Sequence, residues 1–147
     1  MHDLLREKGR PVYTMAGNQS VEDAVNLMSG KKVSALIVTE NDQPIGIFAE
    51  RDVFRYYLRD KTAVPAETAL QNAMTGNLIA AAPEDDVGRV MAIMMKADIR
   101  HLPVMEANKL IGMLTLNDLI EHHIDSLAEE IHQLKDYIED LHDAGRD

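Results

Sequence analysis

Apolar residues recur at positions i, i+3, i+4 and i+7 in two separate stretches of the chain. The first stretch begins at Val21 and the second at Val87, and this spacing places the apolar side chains on one face of a helix. Each helix follows a short extended stretch (PVYTM, NLIAA) and precedes a run rich in branched residues (VSALIV, IRHLPV) that predicts a buried strand. A polar turn, a second strand (IGIFA, IGMLT) and a last helix complete each half. The predicted order is therefore strand, helix, strand, strand, helix in each half of the chain.

The two halves match one another at a constant offset of 66 residues, so that Val21 aligns with Val87 and Asp52 with Asp118. One copy is too small to bury a core alone, so we expect the two to pack sheet to sheet. The predicted fold is α/β (α+β), with pseudo-two-fold symmetry and a long C-terminal helix. The predicted segments are an N-terminal helical segment (1–10), the first repeat (11–60), a linker (61–73), the second repeat (74–122) and a C-terminal amphipathic helix (123–147).

Composition narrows the class of protein. The chain of 147 residues has a formal net charge of −10, which argues against binding to duplex nucleic acid or to an anionic membrane. The absence of cysteine excludes disulfides and thiolate sites, and no two histidines have the i, i+4 spacing of a metal site. No apolar run approaches the ~20 residues of a membrane span, and the first ten residues mix charges. We therefore expect no metal, no signal peptide and a cytoplasmic location.

In each repeat a heptapeptide of the same pattern joins the second strand to the last helix, GIFAERD at 46–52 and GMLTLND at 112–118. In the second copy, Thr115 and Asp118 have the spacing of a helix capping box, which also places a carboxylate at the positive end of the helix. The same geometry holds a carboxylate rigidly enough to accept both vicinal hydroxyls of a ribose, while N–H groups of the first turn could face a phosphate. The first copy has Ala49 at the position of the threonine and lacks the hydroxyl.

Several features together resemble a tandem pair of CBS domains, a Bateman module, over about residues 11–122. They are the order of elements, the SALIV and HLPV strands, and the ending Gly–apolar–apolar–(Ser/Thr)–x–x–Asp, all repeated at one offset. The resemblance implies a sensor of adenosine-containing ligands and no required cofactor. AMP, ADP or ATP is the expected ligand, and S-adenosylmethionine or NAD would present the same adenosine.

The resemblance also implies which residues share a cleft, since the aspartate of one copy acts with the opening and middle strands of the other. Apolar side chains would enclose adenine, the aspartate would hold the ribose, and Arg100 or His101 could meet phosphates. The first cleft is predicted to contain Asp118, Thr115, Met113, Val12, Tyr13, Val33 and Ser34. The second is predicted to contain Asp52, Ile47, Leu78, Ile79, Ile99, Arg100 and His101.

Neither predicted cleft has a complete set of polar groups. The cleft of Asp118 has the hydroxyl of Thr115 but offers Ser34 where the other cleft offers Arg100. The cleft of Asp52 has that arginine but lacks the hydroxyl. We expect one site to dominate and prefer Asp118, with a polyphosphate favoured at the other site. The alternative is that Arg100 and His101 lie at the sheet edge and face water.

The C-terminal segment places apolar residues at spacings of 3, 4, 3, 4 and 3 between Ile124 and Leu141. Isoleucine occupies every a position and leucine every d position, which favours a parallel two-stranded coiled coil. Glu130 at g and Lys135 at the following e would attract one another across such a dimer. Against this, residues 121–147 carry nine acidic and two basic residues. The alternative is that the stripe packs on its own module or on a partner helix.

Three functions compete. The first is a regulatory sensor that binds an adenine nucleotide between the repeats and acts in trans on an unidentified protein. The second is a scaffold without a ligand, working through a homodimeric coiled coil. The third is an enzyme, which the sequence disfavours because it contains no P-loop, G-x-S-x-G or H-E-x-x-H motif and only one aspartate per cleft. We predict no catalytic residue.

Overall fold

The first half of the chain forms a three-stranded sheet and three helices. The computed structural model describes residues 1–145, so residues 146 and 147, the last two of the predicted C-terminal segment, lie outside the described residues. Strand β1 pairs parallel with β2, and β2 pairs antiparallel with β3. The elements of this half are α1 (His2–Lys8), β1 (Thr14–Ala16), α2 (Val21–Lys31), β2 (Ala35–Glu40), β3 (Gln43–Ala49) and α3 (Glu50–Arg59).

The second half repeats this order but has a reduced opening strand. Two short 3-10 turns (Pro65–Glu67 and Leu70–Asn72) precede α4 (Val87–Ala97), β4 (His101–Glu106), β5 (Lys109–Thr115) and α5 (Leu116–Ala144). Strands β4 and β5 pair antiparallel.

The prediction that the NLIAA stretch forms a full strand is wrong. It is limited to one parallel bridge, between Ala81 and Val104. The physical reason is a turn directly after Ala81, where the Asp85 carboxylate accepts a hydrogen bond from the Ala82 N–H at 2.8 Å.

Helices α2 and α4 begin and end in the same way, which explains their equal length. Ser20 caps α2 by accepting from the Asp23 N–H, and Asp86 caps α4 in the same manner. Each helix ends at a residue in the left-handed region, Lys32 with φ 56° and Asp98 with φ 54°. These local signals lie 66 positions apart, so the repeat extends to the capping chemistry.

Each repeat has its own apolar core, and each core contains a leucine from the segment that precedes the other repeat. Leu4 of α1 is buried in the core of the second repeat, whereas Leu70 is buried in the core of the first. These two residues also lie 66 positions apart, so the correspondence begins upstream of the predicted first repeat. The segments that contain Leu4 and Leu70 therefore each cross from their own repeat to the core of the other, and we call them the crossing segments.

The crossing segments also pair with the outer strands. Arg10 and Met113 of β5 exchange two backbone hydrogen bonds of 3.0 Å. In the other half, Thr75 and Ile47 of β3 exchange hydrogen bonds of 2.9 and 3.0 Å. Met113 and Ile47 are equivalent by the repeat, so Arg10 and Thr75 occupy equivalent edge positions.

Helix α5 leaves the module and exposes an apolar seam. Its last buried residue is Leu119, although the helix continues to Ala144. The seam therefore does not pack against its own module. The residues of the seam are Ile124 (58% exposed), Leu127 (45%), Ile131 (54%), Leu134 (59%), Ile138 (62%) and Leu141 (55%). The predicted fold class, a mixed α/β pair of repeats with a long C-terminal helix, is confirmed.

Candidate ligand-binding clefts

Asp52 lies in the first turn of α3 and is only 6% exposed. Its Oδ2 accepts a hydrogen bond from the Ala49 N–H at 2.9 Å, and its Oδ1 accepts one from the Thr75 hydroxyl at 2.7 Å. Ala49 has no side-chain oxygen, so the helix start lacks the reciprocal half of a capping box. Thr75, on the segment that crosses from the other repeat, provides a hydroxyl to the carboxylate. Sequence reasoning did not find this residue.

Asp118 takes the equivalent place at the start of α5. The Thr115 N–H donates to Asp118 Oδ2 at 2.8 Å, and the Asp118 N–H donates to the Thr115 hydroxyl at 3.2 Å. The capping box predicted for this heptapeptide is therefore present. It fixes the carboxylate at the N-terminal end of the helix.

Arg10 covers the Asp118 carboxylate. Its Nη1 lies 2.6 Å from Oδ2 and its Nη2 lies 3.3 Å from Oδ1, a two-pronged ion pair. Burial raises the pKa of the Asp118 carboxyl, but the hydrogen bonds from Arg10 and Thr115 outweigh burial and hold that pKa below its usual value. Hydrogen bonding to Asp118 raises the pKa of Arg10 in turn. The sequence predicted only a helical segment at residues 1–10, and this contact was missed.

The cleft at Asp52 has a volume of about 500 Å³, within the usual range for small-molecule sites. All the apolar residues predicted to accompany Asp52 line this cavity, and so does Arg100. Arg51 and Arg55 add two further cations, of which Arg51 is held by Asp98 through an Nη1–Oδ2 distance of 3.1 Å. The predicted residues on its wall are Asp52, Ile47, Leu78, Ile79, Ile99, Arg100 and His101.

The cleft beside Thr115 has a volume of about 830 Å³ but a different wall from the one predicted. Val12 and Tyr13 do not line it, because Arg10 and Pro11 occupy that part of the wall. Asp118 is absent from the wall as well. It lies 5% exposed beneath the guanidinium. The predicted residues that do line this cavity are Val33, Ser34, Met113 and Thr115.

His101 lines both cavities and connects the repeats. Its Nε2 lies 2.8 Å from the Ser34 hydroxyl oxygen, a hydrogen bond between β4 and the residue before β2. Burial lowers the pKa of His101, so the imidazole is neutral at pH 7. A neutral, already bonded imidazole is a weaker phosphate ligand than the sequence suggested. The cations that face the Asp52 cleft are the arginines.

The family follows from comparison with known proteins. The family model described as CBS domain matches the chain twice, at residues 3–59 and 69–125. The chain belongs to the CBS-domain family. The two matches confirm the tandem pair predicted from the repeat. They also begin upstream of residues 11 and 74, as the crossing segments of Leu4 and Leu70 do.

Known proteins are similar to this CBS pair in sequence or in fold. The CBS domain-containing protein CBSX3, mitochondrial, of Arabidopsis thaliana is 30% identical over 146 residues, which cover 93% of this chain and 70% of that protein. The solved structure of a CBS-domain protein from Burkholderia ambifaria is 34% identical, with a TM-score of 0.75 over 85% of this chain and 93% of the other. The CBS domain pair of protein MJ0100, solved with 5′-methylthioadenosine and S-adenosylmethionine, is 20% identical with a TM-score of 0.69, covering 84% and 96% of the two chains.

Neither a membrane-spanning helix nor a metal-binding group is found among residues 1–145. No helix in that range is both long enough and apolar enough to span a bilayer. In the same range no three His, Cys, Asp or Glu side chains come together in a group that could hold a metal ion. The cytoplasmic location remains a prediction.

Proposed function

We propose that this CBS pair is a regulatory module that binds an adenosine-containing nucleotide in the Asp52 cleft and acts in trans on a protein partner. One observation carries the proposal: a rigid carboxylate faces a 500 Å³ cavity with acceptor capacity left. Within residues 1–145, each Asp52 oxygen accepts one hydrogen bond. Because a carboxylate oxygen has two acceptor positions, each oxygen can accept one ribose hydroxyl.

The wall of the cavity suits the remainder of a nucleotide. Four aliphatic side chains, from Ile47, Leu78, Ile79 and Ile99, offer an apolar surface for adenine. Arg55 and Arg100 are exposed at the same cavity and suit phosphates, which favours AMP, ADP or ATP. S-adenosylmethionine and NAD share the adenosine, and the complex of MJ0100 with S-adenosylmethionine supports this class of ligand. The order of preference thus differs from the expectation that Asp118 dominates.

A thermal-shift panel tests this site. AMP, ADP, ATP, S-adenosylmethionine and NAD would each be added to the wild type and to Asp52→Ala, with Asp125→Ala as a control that removes the same charge from an exposed position of α5. A ligand at 100 times its Kd stabilises the native state by about 2.7 kcal/mol, so the melting temperature should rise by about 5–10 °C. We expect that rise in the wild type and the control, and its loss in Asp52→Ala. No rise with any of the five compounds would contradict the proposal.

Binding without catalysis is the expectation for this site. Three carboxylates line the cavity, those of Glu50, Asp52 and Asp98. Asp52 accepts from the Ala49 N–H and Thr75, and Asp98 is paired with Arg51. The arginines of the cavity are charged at neutral pH, and arginine is a poor general base. A nucleotide bound there can change the binding of a partner protein only if the partner has different affinities for the occupied and the empty module.

The exposed seam of α5 favours a second proposal, a homodimer through a parallel coiled coil. All six seam residues are exposed in the single chain, and the seam has isoleucine at a and leucine at d. The double variant Ile131→Lys/Ile138→Lys would place charge in the seam, and His132→Lys/Glu139→Lys would place it beside the seam as a control. Light scattering should give a dimer for the wild type and control and a monomer for the seam variant. A dimer in all three would show that another surface holds the protein together.

A further inference from the structure

The segment before the first repeat is anchored against the second repeat at three places. Leu4 is buried in the second core, and Lys8 lies 3.8 Å from Glu121 of α5. Arg10 then pairs through its backbone with Met113. The backbone of Arg10 is therefore held in a fixed position. Arg10 also lies on the wall of the 830 Å³ cavity.

The guanidinium uses the acceptor positions that a ribose would need. Asp118 Oδ2 accepts two hydrogen bonds, from Arg10 and from the Thr115 N–H, and is therefore saturated. Oδ1 accepts one, from Arg10. A vicinal diol needs one position on each oxygen. With Arg10 in place, the Asp118 carboxylate is moreover not part of the wall of the neighbouring cavity.

The equivalent contact in the other repeat leaves the aspartate free to accept further hydrogen bonds. Thr75 occupies the edge position that corresponds to Arg10, but its hydroxyl uses only one position on Asp52 Oδ1. Asp52 consequently stays on the wall of its cavity, whereas Asp118 does not. The two sites therefore have the same aspartate and differ in the residue that the crossing segment presents to it.

We propose that Arg10 is an autoinhibitory residue, a competitor within the chain that closes the Asp118 site to nucleotides until its guanidinium leaves the carboxylate. The proposal rests on the proposed function, since it assumes that an aspartate at this position binds ribose. Departure is feasible because the Arg10 side chain is 50% exposed, so water can solvate the guanidinium when it leaves. Leu4 and the pairing with Met113 still anchor the segment after the exchange, but with one contact to the second repeat fewer the segment is held less firmly.

Calorimetric titration with AMP tests the competition in an Asp52→Ala background, which leaves only the Asp118 site. Adding Arg10→Ala should tighten AMP binding about tenfold, the size expected for removal of a partly exposed ion pair of about 1 kcal/mol or somewhat more. Arg6→Ala is the matched control, because it removes the same charge from an exposed position of α1 and should leave the affinity unchanged. Adding Asp118→Ala to the Arg10→Ala protein should abolish the binding that was gained.

The outcomes separate the two proposals. Wild type that binds neither AMP nor any of the other four compounds would overturn the nucleotide site at Asp52 and, with it, the premise of the competition. Wild type that binds AMP, with equal or absent binding in Asp52→Ala and Asp52→Ala/Arg10→Ala, would overturn the role of Arg10 alone. If Arg10→Ala unfolds the protein, Arg10→Gln removes the charge while keeping most of the aliphatic stem and the backbone pairing. A circular dichroism melt identifies that case.

Limited trypsin digestion gives a second, reciprocal measurement. If Arg10 weakens AMP binding, then AMP weakens the hold of Arg10 by the same factor. Saturating AMP should therefore accelerate cleavage after Arg6 and Lys8 in the Asp52→Ala protein. The acceleration should vanish in Asp52→Ala/Arg10→Ala, where no ion pair remains to be displaced. Acceleration of equal size in both proteins would contradict the proposal.

Discussion

Asp52 and Asp118 occupy the same position in the two repeats, yet their carboxylates face different surroundings. Asp52 receives a hydroxyl from Thr75 and lies on the wall of a cavity, whereas Asp118 receives a guanidinium from Arg10 and is covered. The difference arises in the crossing segments, since both heptapeptides contain the aspartate at the same position. A site in this fold can therefore be open or closed while its principal residue stays the same.

The largest expected effect tests how tightly each crossing segment packs on its strand. A Cβ added at Gly46 would lie 2.6 Å from the Thr75 carbonyl oxygen, whereas one at Gly112 would meet the flexible end of Leu5 at 2.7 Å. Backbone cannot yield as a leucine methyl can, so Gly46→Ala should lower the free energy of unfolding by about 2 kcal/mol and Gly112→Ala by about 1 kcal/mol or less. Urea denaturation measures both. Equal losses would show that the two segments pack alike.

The next effect concerns the hydroxyl that Thr75 donates to Asp52. Thr75→Val keeps the shape of the side chain but leaves a buried carboxylate oxygen without its donor, which should cost about 1.5 kcal/mol of unfolding free energy. Thr75→Ser is the control, since it retains the hydroxyl. Chemical denaturation of the three proteins side by side gives the comparison. A valine variant as stable as the serine variant would mean that this hydrogen bond contributes little.

Exchanging the cap residues tests the asymmetry of the heptapeptides. Thr115→Ala removes the hydroxyl that accepts from the Asp118 N–H and should cost about 1 kcal/mol. Ala49→Ser should instead stabilise the protein by about 0.5 kcal/mol, because Ala49 has the same extended backbone at the helix start and no cap hydrogen bond. Thermal melts would show shifts of opposite sign. A destabilised Ala49→Ser would indicate that no room exists there for the hydroxyl.

The smallest effect is the response of the repeat interface to pH. Because burial lowers the pKa of His101, the unfolded chain binds a proton at a higher pH than the native protein does. Stability should therefore fall as the pH drops through about 6.5. The pKa of Asp118 is also lowered, so its contribution persists to more acid pH and is lost only as the pH falls below about 4. Melts of wild type and His101→Gln between pH 7.5 and 5.5 should show a smaller decline in the variant, and parallel declines would exclude His101 as the cause.

Much of the fold follows from the sequence because the decisive signals are local. Apolar spacing and capping residues define the helices, and the constant offset reveals the repeat. The residues around Asp52 also lie together as the resemblance implied, since they belong to regular strands whose side chains alternate predictably. This agreement concerns position, and binding at the cleft remains a proposal.

The second cleft departed from expectation for a physical reason. Val12 and Tyr13 were placed on its wall, but the crossing segment presents Arg10 and Pro11 there instead. Pairing between segments that are far apart in sequence has no local signal, so the register at this edge could not be read from periodicity. One clue was available in the offset of 66, which relates Leu4 to Leu70 and so extends the repeat upstream. Applied to the crossing segments, the offset relates Arg10 to Gly76, one residue beyond Thr75, so it indicates the region of these contacts but not their register.

The exchange of Leu4 and Leu70 has a consequence for how the molecule is connected. Each half obtains a core side chain and a strand partner from the polypeptide that leads into the other half. A half expressed alone would retain its own leading segment but lack the one it needs, and a second copy of the same half could supply it by reciprocal exchange. In this sense the chain is a domain-swapped dimer whose subunits are joined by a peptide bond.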